Sequence, residues 1–165
     1  MNIKKEIEKK HAKSYSTLVL SLTVYDKTII ANIGDSQAYT YNEKENELIE
    51  LTTLDSDSKE MSYEEARYNP WNNMITAALG DGYEKDVHIK IINNEGKKII
   101  LSSDEIIDLI SEERFKSYFK SDIESEKIVK DALSKEDTKW LDKDEDNISV
   151  IVIKLSNYTQ KKLVK

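Results

Sequence analysis

The sequence is dominated by short runs of apolar and β-branched residues, which turns separate at short intervals. Runs of this composition and length are typical of β-strands. Most of the connections are too short to hold a helical crossover, so neighbouring strands are expected to be antiparallel. Such strands are predicted at residues 16–25, 28–33, 37–41, 47–51, 86–92, 97–101 and 147–155.

The order of these strands predicts an antiparallel meander over the first third of the chain and a central position for the last strand. Helical patterns come mostly later. Ser102 with Glu105 has the spacing of a capping box, which would begin a helix immediately after a strand. Further helices are predicted at residues 62–68, 73–79 and 121–134. Together these patterns predict an α+β fold, an antiparallel β-sandwich flanked by helices.

The length of 165 residues suits one domain. Its expected extent is residues 16–155, preceded by a charged helix or tail at residues 1–15 and followed by a polar tail at residues 156–165. The acidic residues number 32 and the basic ones 25, a net charge of -7. This balance argues against a nucleic-acid partner, because phosphate binding requires an excess of Lys and Arg.

Other features limit the possible chemistry and location. The sequence has no cysteine, which excludes a disulfide framework, a thiolate zinc site and a cysteine nucleophile. It has no apolar run of about 18 residues, so no membrane span is expected. The first residues lack the apolar core of a secretory signal, and a cytoplasmic location is therefore expected. A Ser-His-Asp triad has little support, because the sequence contains only two histidines, His11 and His88. His88 is expected on the solvent face of its strand.

Three aspartates, Asp35, Asp104 and Asp146, stand at the ends of predicted strands. Carboxylates that meet at one end of a sandwich are the ligands that Mg²⁺ and Mn²⁺ prefer. Each aspartate also has a purely structural interpretation, which the spacing leaves open. Asp35 follows a glycine in a turn, and Asp104 could favour a helix N-terminus through the helix dipole. Asp146 ends a run of charged residues that could form a solvated loop.

Six short motifs, taken in order, are more specific than any single aspartate. ANIGDSQAY at residues 31–39 is similar to AN-x-GDSRAY, and IILSSDEIIDL at residues 99–109 is similar to LLLCSDGLTDL. DNISV at residues 146–150 is similar to DNITVVV. The other three are STLV, LIELT and MITAALG, at residues 16–19, 48–52 and 74–80. In this order they resemble the metal-dependent protein serine/threonine phosphatases of the protein phosphatase 2C (PPM) family.

The resemblance implies two antiparallel sheets flanked by helices, with a metal site at one end of the sandwich. Asp104 and Asp146 would be ligands of a dinuclear Mn²⁺ or Mg²⁺ centre, and Asp35 would serve a third, weaker metal site. The implied reaction is hydrolysis of phosphoserine or phosphothreonine in a phosphoprotein substrate, and a metal-activated water is the expected nucleophile.

The sequence also departs from the family pattern. Its match, residues 16–155, corresponds to the carboxy-terminal half of the family's domain. The amino-terminal half, which carries a phosphate-binding arginine and further metal ligands, has no counterpart before the first strand. Glu105 replaces the glycine after the metal aspartate, and Gln37 and Ala77 replace arginines. Residues 136–144 resemble an insertion beside the last predicted ligand.

These departures leave alternative functions open. One is a phosphatase whose activity requires the missing half, supplied by a separate chain or by a longer form of the protein. Another is a non-catalytic phosphatase-like module, a pseudophosphatase, that binds a partner or a phosphoprotein. A remnant without a selected function is a third. Because half a sandwich would leave strand edges and an apolar sheet face open, a partner chain or a homo-oligomer is expected.

Overall fold

A computed structural model describes residues 15–69, 74–80, 87–94, 97–121, 123–134 and 147–155. These residues form seven strands and four helices. The strands are β1 (Leu18–Val24), β2 (Lys27–Ile33), β3 (Gln37–Asn42), β4 (Glu47–Glu50), β5 (His88–Asn93), β6 (Lys97–Ser102) and β7 (Val150–Lys154). The helices are α1 (Tyr63–Tyr68), α2 (Glu105–Leu109), α3 (Glu112–Lys120) and α4 (Ser125–Leu133).

The described strands form two antiparallel sheets, which confirms the predicted α+β sandwich. One sheet has the order β1-β2-β5 and the other has the order β4-β3-β6-β7. The predicted meander is wrong, because β2 and β3 belong to different sheets. Gly34 lies between them with a φ of 96°, a conformation that glycine adopts readily, and the chain crosses there from one sheet to the other.

The two sheets face each other across an apolar layer. Ile30 from one sheet packs with Ala38, Ile99 and Leu101 from the other, and all four side chains are buried. Side chains alternate along a strand. The residues next to Ala38 on β3, and those next to Ile99 and Leu101 on β6, therefore point away from the three-stranded sheet. The four-stranded sheet is therefore covered on both of its faces.

The helices cover the second face of the four-stranded sheet with an aromatic core. Phe115 of α3 is fully buried and makes edge-on contacts with Tyr39 at 5.6 Å and Phe119 at 5.0 Å between ring centroids. Ile106 of α2 and Ile128 of α4 complete this layer and are also fully buried. Helix α3 has no counterpart among the elements predicted from the sequence, yet it supplies the centre of the core.

The outer face of the three-stranded sheet is apolar and exposed. Leu20 pairs with Ala31, which pairs with Ile89, and the next row repeats this pattern with Leu22, Ile29 and Ile91. We define the outer apolar face by its exposed members Leu18, Leu20, Leu22, Val24, Ile89 and Ile91. Leu22 is 52% exposed and Ile91 is 63% exposed. Exposed apolar surface of this continuity is typical of interaction sites.

Several local predictions differ from the structure. β7 lies at the edge of the described four-stranded sheet and not at its centre. Residues 74–79 form no helix, because Ile75 and Leu79 make isolated β-bridges with Ser56 and Ser16. Ser102 is the last residue of β6 and does not cap α2. The helix predicted at residues 62–68 is confirmed as α1, and Ser62 with Glu65 forms a capping box at its start.

No helix among the described residues is long and apolar enough to cross a membrane.

Candidate metal centre

Two of the three predicted site residues lie at the same end of the sandwich. Asp35 comes two residues before Gln37, and Asp104 comes two residues after Ser102. Gln37 and Ser102 are directly paired between β3 and β6. Because antiparallel pairing places the start of one strand beside the end of the other, the two aspartates emerge together.

Asp35 and Asp104 line one small cavity of about 20 Å³. The other lining residues are Gln37, Leu54, Ser56, Ser58, Ala66 and Ile107. Ser56 and Ser58 are buried. The cavity therefore brings two carboxylates together with polar side chains, which is a set of oxygen ligands suited to a hard divalent cation.

Asp35 is buried, and its ionisation is correspondingly disfavoured. The pKa of Asp35 is raised from 3.8 to about 6, chiefly by burial and next by the negative charge of Asp104. A hydrogen bond from the backbone N–H of Asp35 to its own carboxylate lowers the pKa, and Asp55 adds a smaller increase. Two nearby carboxylates repel each other, and a bound cation would remove this repulsion.

Asp104 lies between β6 and α2. It is the N-cap residue of α2, with helical backbone angles and no side-chain capping hydrogen bond. Its carboxylate is therefore delivered by a buried strand to the start of a helix, as the sequence predicted. Glu105, which stands in place of the family's glycine, is buried but is not among the described residues that line the cavity.

Asp146, the third predicted ligand, lies outside the described residues. The described chain resumes at Asn147, whose carbonyl oxygen accepts a hydrogen bond from Oγ of Ser103 at 3.3 Å. The backbone N–H of Ser103 donates to the carbonyl oxygen of Ser149 at 3.0 Å. The segment that follows Asp146 is therefore hydrogen-bonded to the residue that precedes Asp104. The assignment of Asp146 as a ligand stays a prediction.

The sequence did not indicate a role for Asp55, and the prediction that His88 lies on the solvent face of its strand is wrong. Nε2 of His88 lies 2.8 Å from Oδ1 of Asp55, and Oδ2 of Asp55 accepts the backbone N–H of Gly34 at 2.9 Å. His88 is on the inner face of β5, because Ile89 and Ile91 face outward. In this strand Ile89 and Ile91 are exposed and the polar His88 faces inward, which is the reverse of the usual relation between hydrophobicity and burial.

The described residues fit part of a metal site. Among them, no group of three or more His, Cys, Asp or Glu side chains is close enough to hold a metal ion. Magnesium and manganese ions usually keep several water ligands and need only one or two protein carboxylates. Asp35 and Asp104 thus have the chemistry of a partial ligand set for such an ion.

No protein-family model matches the sequence, and no curated protein matches it significantly. Solved structures match it by fold. The serine/threonine phosphatase PstP/Ppp of Mycobacterium tuberculosis aligns with 93% of this chain at a TM-score of 0.74 and 22% identity. The serine/threonine phosphatase Stp1 of Staphylococcus aureus aligns with 86% at a TM-score of 0.71 and 22% identity. A PstP catalytic domain in complex with two manganese ions aligns with 91% at a TM-score of 0.69 and 23% identity.

The chain spans only part of the structures that it matches. It covers 66% of the PstP/Ppp chain, 57% of the Stp1 chain and 64% of the manganese-bound domain. The alignments nevertheless include 86–93% of this chain. The chain therefore has the fold of the PPM-type serine/threonine phosphatases.

Proposed function

We propose that this chain is part of a PPM-type, metal-dependent protein serine/threonine phosphatase. The observation that carries the proposal is the shared cavity of Asp35 and Asp104 at one end of a phosphatase-like sandwich. The order of the sequence motifs supports the same family, because the motifs that contain these aspartates resemble its metal-binding motifs. The substrates would be proteins that carry phosphoserine or phosphothreonine.

Asp35 and Asp104 would hold Mn²⁺ or Mg²⁺, and Asp146 would add a third carboxylate. When bound, such an ion polarises a phosphoryl oxygen and lowers the pKa of water, which is the chemistry that phosphoester hydrolysis requires. The role of the described residues is to hold the cation at a fixed place beside the substrate. Manganese is the ion found with one matched phosphatase domain, and it is the first ion to test here.

Activity is proposed for an assembly that contains this chain and not for the chain alone. The chain spans 57–66% of the matched phosphatases, and the described residues supply two carboxylates at the cavity. The remaining ligands and the cover of the outer apolar face would come from a separate chain, a longer form of the protein or a second copy. We place this assembly in the cytoplasm.

A phosphatase assay with defined variants tests the proposal. The chain would be assayed with Mn²⁺ on a phosphothreonine peptide and on p-nitrophenyl phosphate, alone and together with an amino-terminal segment from a matched phosphatase. We expect turnover that depends on Mn²⁺ in the combined sample and that Asp104→Asn abolishes. The exposed residue Asp57 offers a control, since Asp57→Asn should leave turnover unchanged. Absence of turnover above the blank in every sample would contradict the proposal.

A second candidate is a non-catalytic module that binds phosphoproteins. It is favoured by the incomplete set of ligands among the described residues. Calorimetry with Mn²⁺ separates the two candidates. Tight binding of two ions by the chain would exclude the non-catalytic module, whereas binding of a phosphopeptide without Mn²⁺ would favour it.

A further inference from the structure

Asp55 makes hydrogen bonds to the turn that carries Asp35. Its Oδ2 accepts the backbone N–H of Gly34 at 2.9 Å, and its own backbone N–H donates to the carbonyl oxygen of Gly34 at 3.0 Å. The Asp55 side chain is only 12% exposed. Hydrogen bonds to a charged carboxylate are stronger than those between neutral groups, and this strength increases away from water. The position of Gly34 therefore depends on Asp55.

The hydrogen bonds with Asp55 have a large effect on the turn because they fix the backbone of Gly34. Its φ is 96°, and a Cβ atom added there would lie 2.5 Å from Cγ2 of Thr17. A residue with a side chain would be strained and would clash, so the position requires glycine. Glycine also has the greatest backbone freedom, and its conformation has to be fixed by contacts. Asp55 supplies two of those contacts, one residue before Asp35.

His88 orients Asp55 from the first residue of β5. Nε2 of His88 lies 2.8 Å from Oδ1 of Asp55, and the pairing of His88 with Asn32 fixes its place beside β2. Both carboxylate oxygens of Asp55 are thus engaged by protein groups. Asp55 is consequently held against the turn, and it is not among the residues that line the cavity of Asp35 and Asp104.

We propose that Asp55 is a positioning residue for Asp35, and that His88 holds Asp55 in the required orientation. The inference rests on the proposed function, because it concerns the cation that Asp35 and Asp104 would bind. Hydrogen-bonding partners outside the ligand set typically change metal affinity by roughly 10–100-fold when they are removed. The same loss of metal affinity is expected when Asp55 no longer holds the Gly34–Asp35 turn in place.

The test compares four variants of the full chain: Asp55→Ala, Asp55→Asn, His88→Ala and Asn32→Ala. Mn²⁺ would be titrated while its paramagnetic broadening of backbone amide NMR signals near Asp35 and Asp104 is recorded. Hydrogen exchange of the Gly34 amide would be measured without metal. Asn32→Ala is the matched control. It removes another hydrogen bond at this junction, from Nδ2 of Asn32 to the carbonyl oxygen of Thr53 at 2.7 Å, but leaves Gly34 untouched.

We expect Asp55→Ala to weaken Mn²⁺ binding by roughly 10–100-fold and to speed exchange of the Gly34 amide. Asp55→Asn should restore much of the affinity, because its amide oxygen can still accept from Gly34. His88→Ala should weaken binding by less than Asp55→Ala, and Asn32→Ala should leave it unchanged. If Asp55→Ala fails to fold, the Mn²⁺ affinities of His88→Ala and Asn32→Ala are compared instead. Weaker binding by His88→Ala would support the positioning role, and equal binding would overturn it.

Two negative results have different meanings. Broadening near Asp35 and Asp104 in the wild-type chain, unchanged in Asp55→Ala and His88→Ala, would overturn the positioning role alone. An equal loss of affinity in Asn32→Ala would also overturn it, because a general structural role would then suffice. Absence of broadening in the wild-type chain would overturn the proposed metal site, and this inference with it.

Discussion

The Asp35 carboxylate destabilises the metal-free protein at neutral pH. Its pKa is raised from 3.8 to about 6, so the folded state binds this proton more tightly than the unfolded state. The protonated Asp35 carboxyl therefore stabilises the folded state. This stabilisation is complete below pH 3.8, decreases as the pH rises towards about 6, and is absent above that value. Asp35→Asn removes the charge, and the variant should therefore be more stable than the wild type at neutral pH.

Thermal unfolding in the presence of a chelator measures this effect. We expect the melting temperature of Asp35→Asn to exceed that of the wild type at about pH 7.5, and the difference to disappear near about pH 4. Asp57→Asn, at an exposed position in a nearby loop, serves as the control and should show no such pH dependence. A variant that is less stable than the wild type at neutral pH would show that the carboxylate has a stabilising partner.

A second prediction at this scale concerns the proximity of the two aspartates. The charge of Asp104 raises the pKa of Asp35, second only to burial. Asp104→Asn should therefore lower the pKa of Asp35 from about 6 towards its ordinary value. The carboxyl carbon signal of Asp35, followed by NMR through a pH titration without metal, reports this directly. An unchanged Asp35 pKa would mean that the two carboxylates are too far apart to share a cation.

The sequence allowed Asp35 and Asp104 to be predicted at strand ends, but not the residues that orient them. Strand ends are visible in the sequence because Gly34 and the two serines before Asp104 interrupt apolar runs. Asp55 lies in an irregular segment, where no periodicity indicates which way a side chain points. His88 lies in a strand whose outward residues are isoleucines, so alternation alone assigned it to the wrong face.

At the scale of elements, strands were easier to predict than their pairing. Each described strand overlaps a predicted one, since β-branched runs between turns are a local signal. Pairing is not local. The Gly34 turn and the connection from β5 to β6 each lead the chain into the other sheet, although both resemble hairpin turns in sequence. β7 lies at an edge although its composition suggested a buried central strand.

Helix α3 provides a prediction about the core. Its Phe115 is fully buried and contacts Tyr39 and Phe119 edge-on, so truncation would leave a large cavity beneath the four-stranded sheet. Phe115→Ala should lower the free energy of unfolding by about 3–5 kcal/mol. Tyr68→Ala removes an aromatic ring that is 62% exposed and contacts the Arg67 guanidinium, and it should change this free energy by no more than about 1 kcal/mol. Urea titration followed by circular dichroism gives both values, and equal effects would contradict this core.

For the whole molecule, the sequence allowed the fold class to be predicted, and it also indicated that the sandwich would have an open face. The structure specifies which face this is. The four-stranded sheet is covered by the other sheet and by helices α2, α3 and α4. The three-stranded sheet carries apolar side chains on both faces, but the described part of the chain covers only one of them. Composition could not show this asymmetry, because it depends on which strands share a sheet.

The outer apolar face leads to a prediction about association. A continuous apolar surface in water favours contact with another apolar surface, and in a pure sample a second copy of the chain can supply one. Light scattering should therefore detect a dimer whose fraction rises with concentration. Leu22→Lys with Ile91→Lys places two charges at the centre of the face and should restore the monomer. Leu133→Lys, at a 57% exposed position on α4, should leave the dimer intact. A wild-type chain that stays monomeric at high concentration would contradict self-association, and the same double variant would then test whether a different chain binds this face.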